Sequence, residues 1–478
     1  MKEKNILNCI LATSFVFVLS GCTLFQQTIR TESKQLPKNY TFTNTQDTTN
    51  TAHANWRTYF NDSILTQLIE IALKNNQELN LILQEIEISK NEIKARKGEY
   101  LPYIHLNVES SVEKAARYTR NGAVEHSTFI KSETHIPEPL TDIGLSALTT
   151  WEVDIWKKLR NAKKAAQLRY LATVQGKNFM VTQLVAEIAE AYYELIALDN
   201  WIETIEQNIA IQFNSLKMIN QQKEAAKVTQ LAVNRFEAQL LNTKNLLYDL
   251  KQKRIQTENK INFLLGRFPQ PIDRPKVSIW DIDLKPIQAG IPAQLLQNRP
   301  DIQQRELELA AAKLDVKIAK ANFYPSLRIT SSIGSQGFSP ELAFRPEGIL
   351  FGLASELLGP LVNRNVLVAN YKTATAKQLQ AIIRYEQTVL SAYIEVINQL
   401  AQVDNYTQSF ETKQKQVEIL TQSIQVANNL FNAARADYVE VLLTQREALE
   451  AKIELIEIKL KQIKAFIHLY RALGGGWR

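Results

Sequence analysis

The 478-residue chain holds only 15 glycines and 14 prolines, so few positions break regular structure and long uninterrupted elements are expected. Its 45% hydrophobic and 22% charged residues form a globular balance that excludes wholesale disorder. The net charge of +7 is spread through helical runs beside Glu and Asp instead of forming the aromatic-interleaved patch of a nucleic-acid binder, and the two cysteines, Cys9 and Cys22, leave the body of the chain without thiols for a disulfide, a zinc cluster or redox chemistry.

Lys2 and Lys4 precede an apolar run over 6–19, the layout of an export signal too short to stay in a bilayer as a spanning helix. Leu19-Ser20-Gly21-Cys22 resembles the bacterial lipobox, in which small residues admit the lipoprotein peptidase and the cysteine receives a diacylglyceryl group. Residues 1–21 are therefore expected to be a lipoprotein signal peptide and Cys22 the lipidated first residue; the alternative is an ordinary small-residue cleavage site with an incidental cysteine. At about 0.8 kcal/mol per buried methylene, two or three acyl chains anchor a protein firmly. Thr23 stands where lipoproteins kept at the inner membrane carry Asp, and the resemblance so implies outer-membrane delivery. Residues 22–60, rich in Thr, Asn and Gln early on, read as an extended arm.

A first structural repeat is read over 61–270. It opens with a helix over 62–100, followed by Ile104, Leu106 and Val108 alternating with His105, Asn107 and Glu109, then a loop over 113–140, then Ile143, Leu145 and Ala147 alternating with Gly144, Ser146 and Leu148. From Trp156 to Phe268 there is no Pro, and Gly176 and Gly266 are the only glycines, which predicts a helix of nearly 70 residues and a shorter one over 228–265. In the latter Val233, Leu240, Leu247 and Ile261 share one heptad position and Phe236, Leu250 and Leu264 lie three residues on, with Thr243, Arg254 and Thr257 interrupting the seam. Pro271, Pro275, Pro286 and Gly290 mark a linker over 271–290, expected to be the equatorial joint where two short helices stack beside a long one.

The order then recurs over 291–478: a helix over 291–323, Leu327, Ile329, Ser331 and Ile333 alternating with polar neighbours, a loop over 335–347, Ile349, Phe351 and Leu353, and a tract from Leu361 to Leu473 without Gly or Pro. A helix over 361–430 would run about 105 Å at 1.5 Å per residue. Asn75-Asn76-Gln77-Glu78-Leu79 and Tyr100-Leu101-Pro102 match Asn298-Arg299-Pro300-Asp301-Ile302 and Phe323-Tyr324-Pro325 at an offset of 223, and Leu265 matches Leu473. The fold class is mainly α with a membrane β-barrel: long coiled-coil-like helices, and four strands per chain. Four strands do not close around an aqueous channel, so an oligomeric barrel is expected, with Ile104, Leu106, Val108, Leu327 and Ile329 facing lipid. Two ordinary hairpins lying on a core are the alternative.

Trp151-Glu152-Val153-Asp154-Ile155-Trp156, Leu159-Arg160, Asn298-Arg299-Pro300-Asp301-Ile302, Phe323-Tyr324-Pro325 and Ala472-Leu473-Gly474-Gly475-Gly476-Trp477 together resemble the TolC-type outer-membrane efflux proteins, in particular the lipoprotein branch serving resistance-nodulation-division pumps. The resemblance spans about 60–478. It implies a homotrimer whose three copies build a twelve-stranded barrel in the outer membrane and a periplasmic helical tunnel, meeting a periplasmic adaptor and an inner-membrane pump and passively conducting drugs or other toxic small molecules. A type I protein-secretion duct and a non-conducting, envelope-spanning structural lipoprotein are the alternatives.

Enzyme signatures are absent from the sequence: there is no P-loop and no dinucleotide fingerprint, and His53, His105, His126, His135 and His468 form no helical ligand pair. Beyond Met1, the methionines Met180 and Met218 offer no thioether path for copper(I). No catalytic residue, cofactor or resident metal is expected, and a wide lumen leaves metal efflux open. Ala433 to Leu442 resembles the family's tip segment, whose acidic or hydrogen-bonding ring closes the periplasmic entrance; Asp437, Glu440 and Arg435 are the candidates here, with Ala226 and Ala434 standing where the family commonly has Gly. Asp437 reads equally as the N-cap of the last helix.

Overall fold

The computed structural model describes residues 30–40, 49–276, 278–282 and 287–478, apart from Ser132 and Ala434. The signal peptide and Cys22 lie outside these. The described chain falls into two compact units, and both repeats contribute to each.

The first unit, 30–34, 98–162 and 312–386, is built on an antiparallel sheet of four strands, β1 (Tyr103–Glu113), β4 (Leu140–Val153), β5 (Ser326–Gly337) and β6 (Ile349–Leu358), in the order β1-β4-β5-β6. The excursion between β1 and β4 is not wholly irregular, because Arg120–Ser127 is helical and Phe129–Lys131 (β2) pairs with Thr134–His135 (β3). The chain before the repeats lies against helices of this unit: Arg30 pairs with Glu386 at 2.5 Å and Lys313 donates to both oxygens of Glu32 at 2.8 Å.

The second unit, 35–97, 163–311 and 387–478, is helical. In chain order its own and shared helices are α1 (Trp56–Phe60), α2 (Ser63–Asn75), α3 (Gln77–Tyr100), α5 (Lys158–Glu224), α6 (Gln230–Leu264), α7 (Leu295–Asn298), α8 (Pro300–Ala321), α10 (Asn365–Asn432) and α11 (Tyr438–Ala472); α4 is Arg120–Ser127 and α9 is Pro340–Ala343, both in the first unit. The 67 residues of α5 and 68 of α10 correspond to about 100 Å each at 1.5 Å per residue. The heptad stripe of α6 is buried at Val233, Phe236, Leu240, Leu250, Ile261 and Leu264, and Thr243 and Thr257 are buried with it. Their hydroxyls donate to the carbonyls of Gln239 and Lys253, so these threonines fill the seam instead of interrupting it.

Two further expectations change. The end of the presumed extended arm is folded: Thr51–His53 is a 3-10 turn, Asn55 caps α1, and Trp56, Tyr59 and Phe60 are buried, Tyr59 stacking on Tyr470 at 4.4 Å between ring centroids. The helix expected over 62–100 is two helices broken at Asn76, whose ψ of 128° leaves the helical region. Asn76 accepts from Leu79 N and donates its amide to Leu264 O at 3.0 Å, capping α3 and tying it to the end of α6.

The same joint recurs in the second repeat in charged form. Arg299, between α7 and α8, donates to Ala472 O at 2.8 Å at the end of α11, and its guanidinium also meets Asp301 at 2.8 Å and Glu395 at 2.7 Å. Burial disfavours its charge, yet these hydrogen bonds outweigh that and hold its pKa above the ordinary arginine value. Gly266 (φ 66°) and Gly474 (φ 92°) close the two joints; a Cβ would stand 2.4 Å from Asn75 O in one and 2.5 Å from Asn298 O in the other, so no larger residue fits without movement. The linker is pinned by Arg274, which donates to Asp199 and, at 2.9 Å, to Glu258.

Candidate functional site

Strand register sorts the sheet into two unlike faces. Ile104, Leu106 and Val108 oppose Thr149, Ala147 and Leu145 on β4, which in turn oppose Ser331, Ile333 and Ser335 on β5. Leu327 and Ile329 oppose Val153 and Trp151 on one side and Leu357 and Ser355 on the other, while Ile333 opposes Phe351. Directly opposed residues share a face, so all five predicted lipid-facing residues lie on one side, with Leu353 and Ile349 added to it. The outer-strand members Ile104, Leu106, Val108 and Phe351 are exposed, whereas Leu327 and Ile329 on the central strand are half-buried by their neighbours.

The opposite face is polar. His105, Asn107 and Glu109 lie on it with Gln336, which donates to Asp142 at 2.5 Å, and with the cross-strand pair Arg328–Glu356 at 3.4 Å. Neither β1 nor β6 has a second strand partner among the described residues. Two open edges of 11 and 10 residues beside an apolar face are a pairing surface, which folded monomers ordinarily cover or break up.

Where its helix pairs reverse direction, the second unit presents two matched turns. After α5, Ala226 takes a left-handed φ of 56° and Lys227 N donates to Gln222 O; after α10, Arg435 N donates to Leu430 O in the same six-to-one pattern. Both turns rest on one apolar cluster, in which Ile219, Val233 and Phe236 are joined by Phe431, Tyr438 and Leu442. Asp437 is the N-cap of α11 and accepts from Tyr438 N at 2.8 Å. Arg435, Asp437 and Glu440 are all exposed and form no ion pair with one another among the described residues. Lys227, which occupies in the first turn the place of Arg435 in the second, is a further charge the residue-level reading missed; extending the Leu265–Leu473 match back along both helices would have found it.

No group of three or more His, Cys, Asp or Glu among the described residues is placed to hold a metal ion.

A strand sheet with one mainly apolar face and two open edges, on a chain whose other unit is built of very long helices, defines a channel-forming membrane protein. The family model described as outer membrane efflux protein matches residues 68–267 and 291–475, and the chain belongs to that family. The probable outer membrane lipoprotein SilC of Salmonella typhimurium is 23% identical over 471 residues, covering 98% of each chain. The toluene efflux pump outer membrane protein TtgI of Pseudomonas putida is 26% identical over 478 residues, covering 97% of each. Among solved structures, the open state of the MtrE outer membrane channel of Neisseria gonorrhoeae superposes with a TM-score of 0.83 at 21% identity, covering 95% of this chain and 98% of that one. The chain is thus an outer-membrane component of an efflux system, in a family of channels and not of enzymes.

Proposed function

We propose that three copies of this chain close a twelve-stranded barrel in the outer membrane and conduct small toxic molecules passively, receiving them through a periplasmic adaptor from an inner-membrane pump of the resistance-nodulation-division class. The observation that carries this reading is the pair of open edges: β1 of one copy is free to pair with β6 of the next, which buries both edges and turns the face of Ile104, Leu106, Val108, Leu327 and Ile329 to lipid. Four strands from each copy suit a closed barrel with an aqueous interior only when several copies join. The polar face of Asn107, Glu109, Arg328 and Glu356 then lines water. Cys22 carries the lipid anchor. Native mass spectrometry of the detergent-extracted protein is expected to give three copies, each with acyl mass on Cys22, and the same preparation is expected to conduct in planar bilayers. A stable, non-conducting monomer would overturn the channel reading, and an unacylated N-terminus the anchor.

In this assembly the α10–α11 turns of three copies meet around the axis and close the entrance through Asp437, Glu440 and Arg435 across subunits, each charge-assisted hydrogen bond contributing about 1.5–3 kcal/mol. The N-cap role of Asp437 makes the test selective. Asp437→Asn retains a capping side chain but cannot form an ion pair, so with Glu440→Gln it is expected to raise single-channel open probability with little change in stability. Asp437→Ala should add a loss of about 1 kcal/mol per chain. Unchanged closure in all three variants would remove these residues from the gate.

A further inference from the structure

Two apolar clusters hold α11 against α5 and α6. One is the cluster on which the two turns rest, where Ile219, Val233 and Phe236 meet Phe431, Tyr438 and Leu442; the other joins Leu198, Ile202, Ile205 and Leu250 to Leu449 and Ile453. Between them the packing turns polar. Asn208 and Gln212 of α5, Thr243 of α6 and Gln445 of α11 are all buried here, Gln445 standing about 10 Å along α11 at 1.5 Å per residue.

This layer is incompletely satisfied. Gln212 Nε2 donates to Asn208 Oδ1 at 3.1 Å within α5, the Thr243 hydroxyl turns back on its own helix, and Gln445 Nε2 crosses from α11 to donate to Ser215 Oγ of α5 at 3.2 Å. The other amide atoms, Gln212 Oε1 and Gln445 Oε1, have no hydrogen-bond partner among the described residues, although Gln212 is 2% and Gln445 4% exposed. A buried amide oxygen left unpaired opposes the packing that encloses it, and native interiors hold few of them. The helices of a single chain already enclose both, so their burial does not depend on a second copy. In helix seams a polar residue costs stability and is kept where it specifies register. Register is fixed here by the apolar clusters on either side and by Trp201, whose indole donates to Ile453 O at 3.0 Å. What two orphaned acceptors add is a contact that gains hydrogen bonds to water when its helices part.

We propose that the layer of Asn208, Gln212 and Gln445 is a parting seam: the end of α11 that carries Glu440 separates from α5 here, water reaching both amide oxygens as it does, while the cluster of Leu198, Ile202, Ile205 and Leu449 holds the rest of the helix in place. The link to transport rests on the α10–α11 turn forming the entrance. The closing contacts at that turn then work against a layer that favours opening, and the part that moves is confined to the first turns of α11.

Amide hydrogen exchange of the full-length protein in detergent, read over 438–449 with 455–470 as reference, tests the seam. Gln445→Met keeps the length of the side chain and removes its polar atoms, and the Ser215 hydroxyl left behind can bond a carbonyl of its own helix. Exchange over 438–449 is expected to slow several-fold in Gln445→Met and to quicken several-fold in Gln445→Glu, whose charge gains most from water, with 455–470 unchanged in both. Equal or faster exchange in Gln445→Met shows that the amide binds the helices together and overturns the seam. Should the methionine variant fail to fold, unchanged exchange in Gln445→Glu, or quickening that extends over 455–470, overturns it equally. Single-channel recording then links seam to entrance: Gln445→Met added to Asp437→Asn with Glu440→Gln is expected to lower open probability several-fold. Slowed exchange with unaltered open probability overturns that link. If Asp437→Asn with Glu440→Gln is itself no more open than the parent, the charge reading of the tip fails, and the exchange result decides the seam on its own.

Discussion

Replacing Arg299 by methionine is expected to cost the helical unit about 3–5 kcal/mol, the range found when one partner of a buried charge cluster is removed. The Arg299 side chain is 8% exposed and lies between Asp301 and Glu395. Methionine fills much of the volume but leaves Asp301 without its cation, and it leaves the carbonyl of Ala472 without the guanidinium donor. Glu395 keeps Arg471 at 2.9 Å, which places the loss chiefly on the Asp301 side and on the α8–α11 joint. Lysine at 299 retains the charge without the fork that reaches three acceptors, so its effect should be intermediate. The first-repeat counterpart is a milder case: Asn76→Ala removes one neutral hydrogen bond to Leu264 O and one cap, together about 1–2 kcal/mol. Helical unfolding followed by circular dichroism orders the three variants. Equal midpoints for Arg299→Met and the parent would show that the joint does not hold the unit together.

A comparable penalty is expected in the sheet for Ile333→Arg. Arginine on the lipid face of a barrel costs about 2–4 kcal/mol at mid-membrane and little near either rim. Ile333 lies near the middle of β5, opposite Ala147 and Phe351, whereas Ile329 is close to the end at Ser326. Ile333→Arg should therefore deplete assembled protein in the outer membrane most, Ile329→Arg less, and Ser332→Arg or Thr330→Arg, on the polar face opposite Leu148 and Thr150, least. The amount of membrane-inserted oligomer resolves the order. Similar losses for Ile333→Arg and Ser332→Arg would mean that the two faces are assigned the wrong way round or that neither meets lipid.

Local sequence carried the strands and the long helices because their signals are short-range: a period of two in Ile104 to Val108 and Leu327 to Ile333, and a lack of breakers between Trp156 and Phe268. It did not carry the break at Asn76. No Gly or Pro stands there, and the partner that stabilises the break, Leu264 O, is 188 residues away. The same distance problem hid the role of Arg299, which was visible as part of a repeated motif but not as a donor to the last helix. Thr243 and Thr257 were misjudged for a local reason, since a hydroxyl bonded back to its own helix can occupy an apolar seam. At the tip, the turn residues were identified while the facing of their charges was not, because Asp437, Glu440 and Arg435 have no partners among one another within a single chain.

The open edges at β1 and β6 have a genetic consequence as well as a structural one. If three copies close the spanning wall as proposed, no single translation product contains it, and every finished pore samples the cell's pool of alleles three times. In a strain expressing a parent and a pairing-competent but non-conducting variant equally, only about one pore in eight would be built wholly from parent chains if assembly is random. Lesions that disable both β1 and β6 should by contrast be recessive, since a chain that can pair through neither edge excludes itself from the ring and leaves the parent's pores intact.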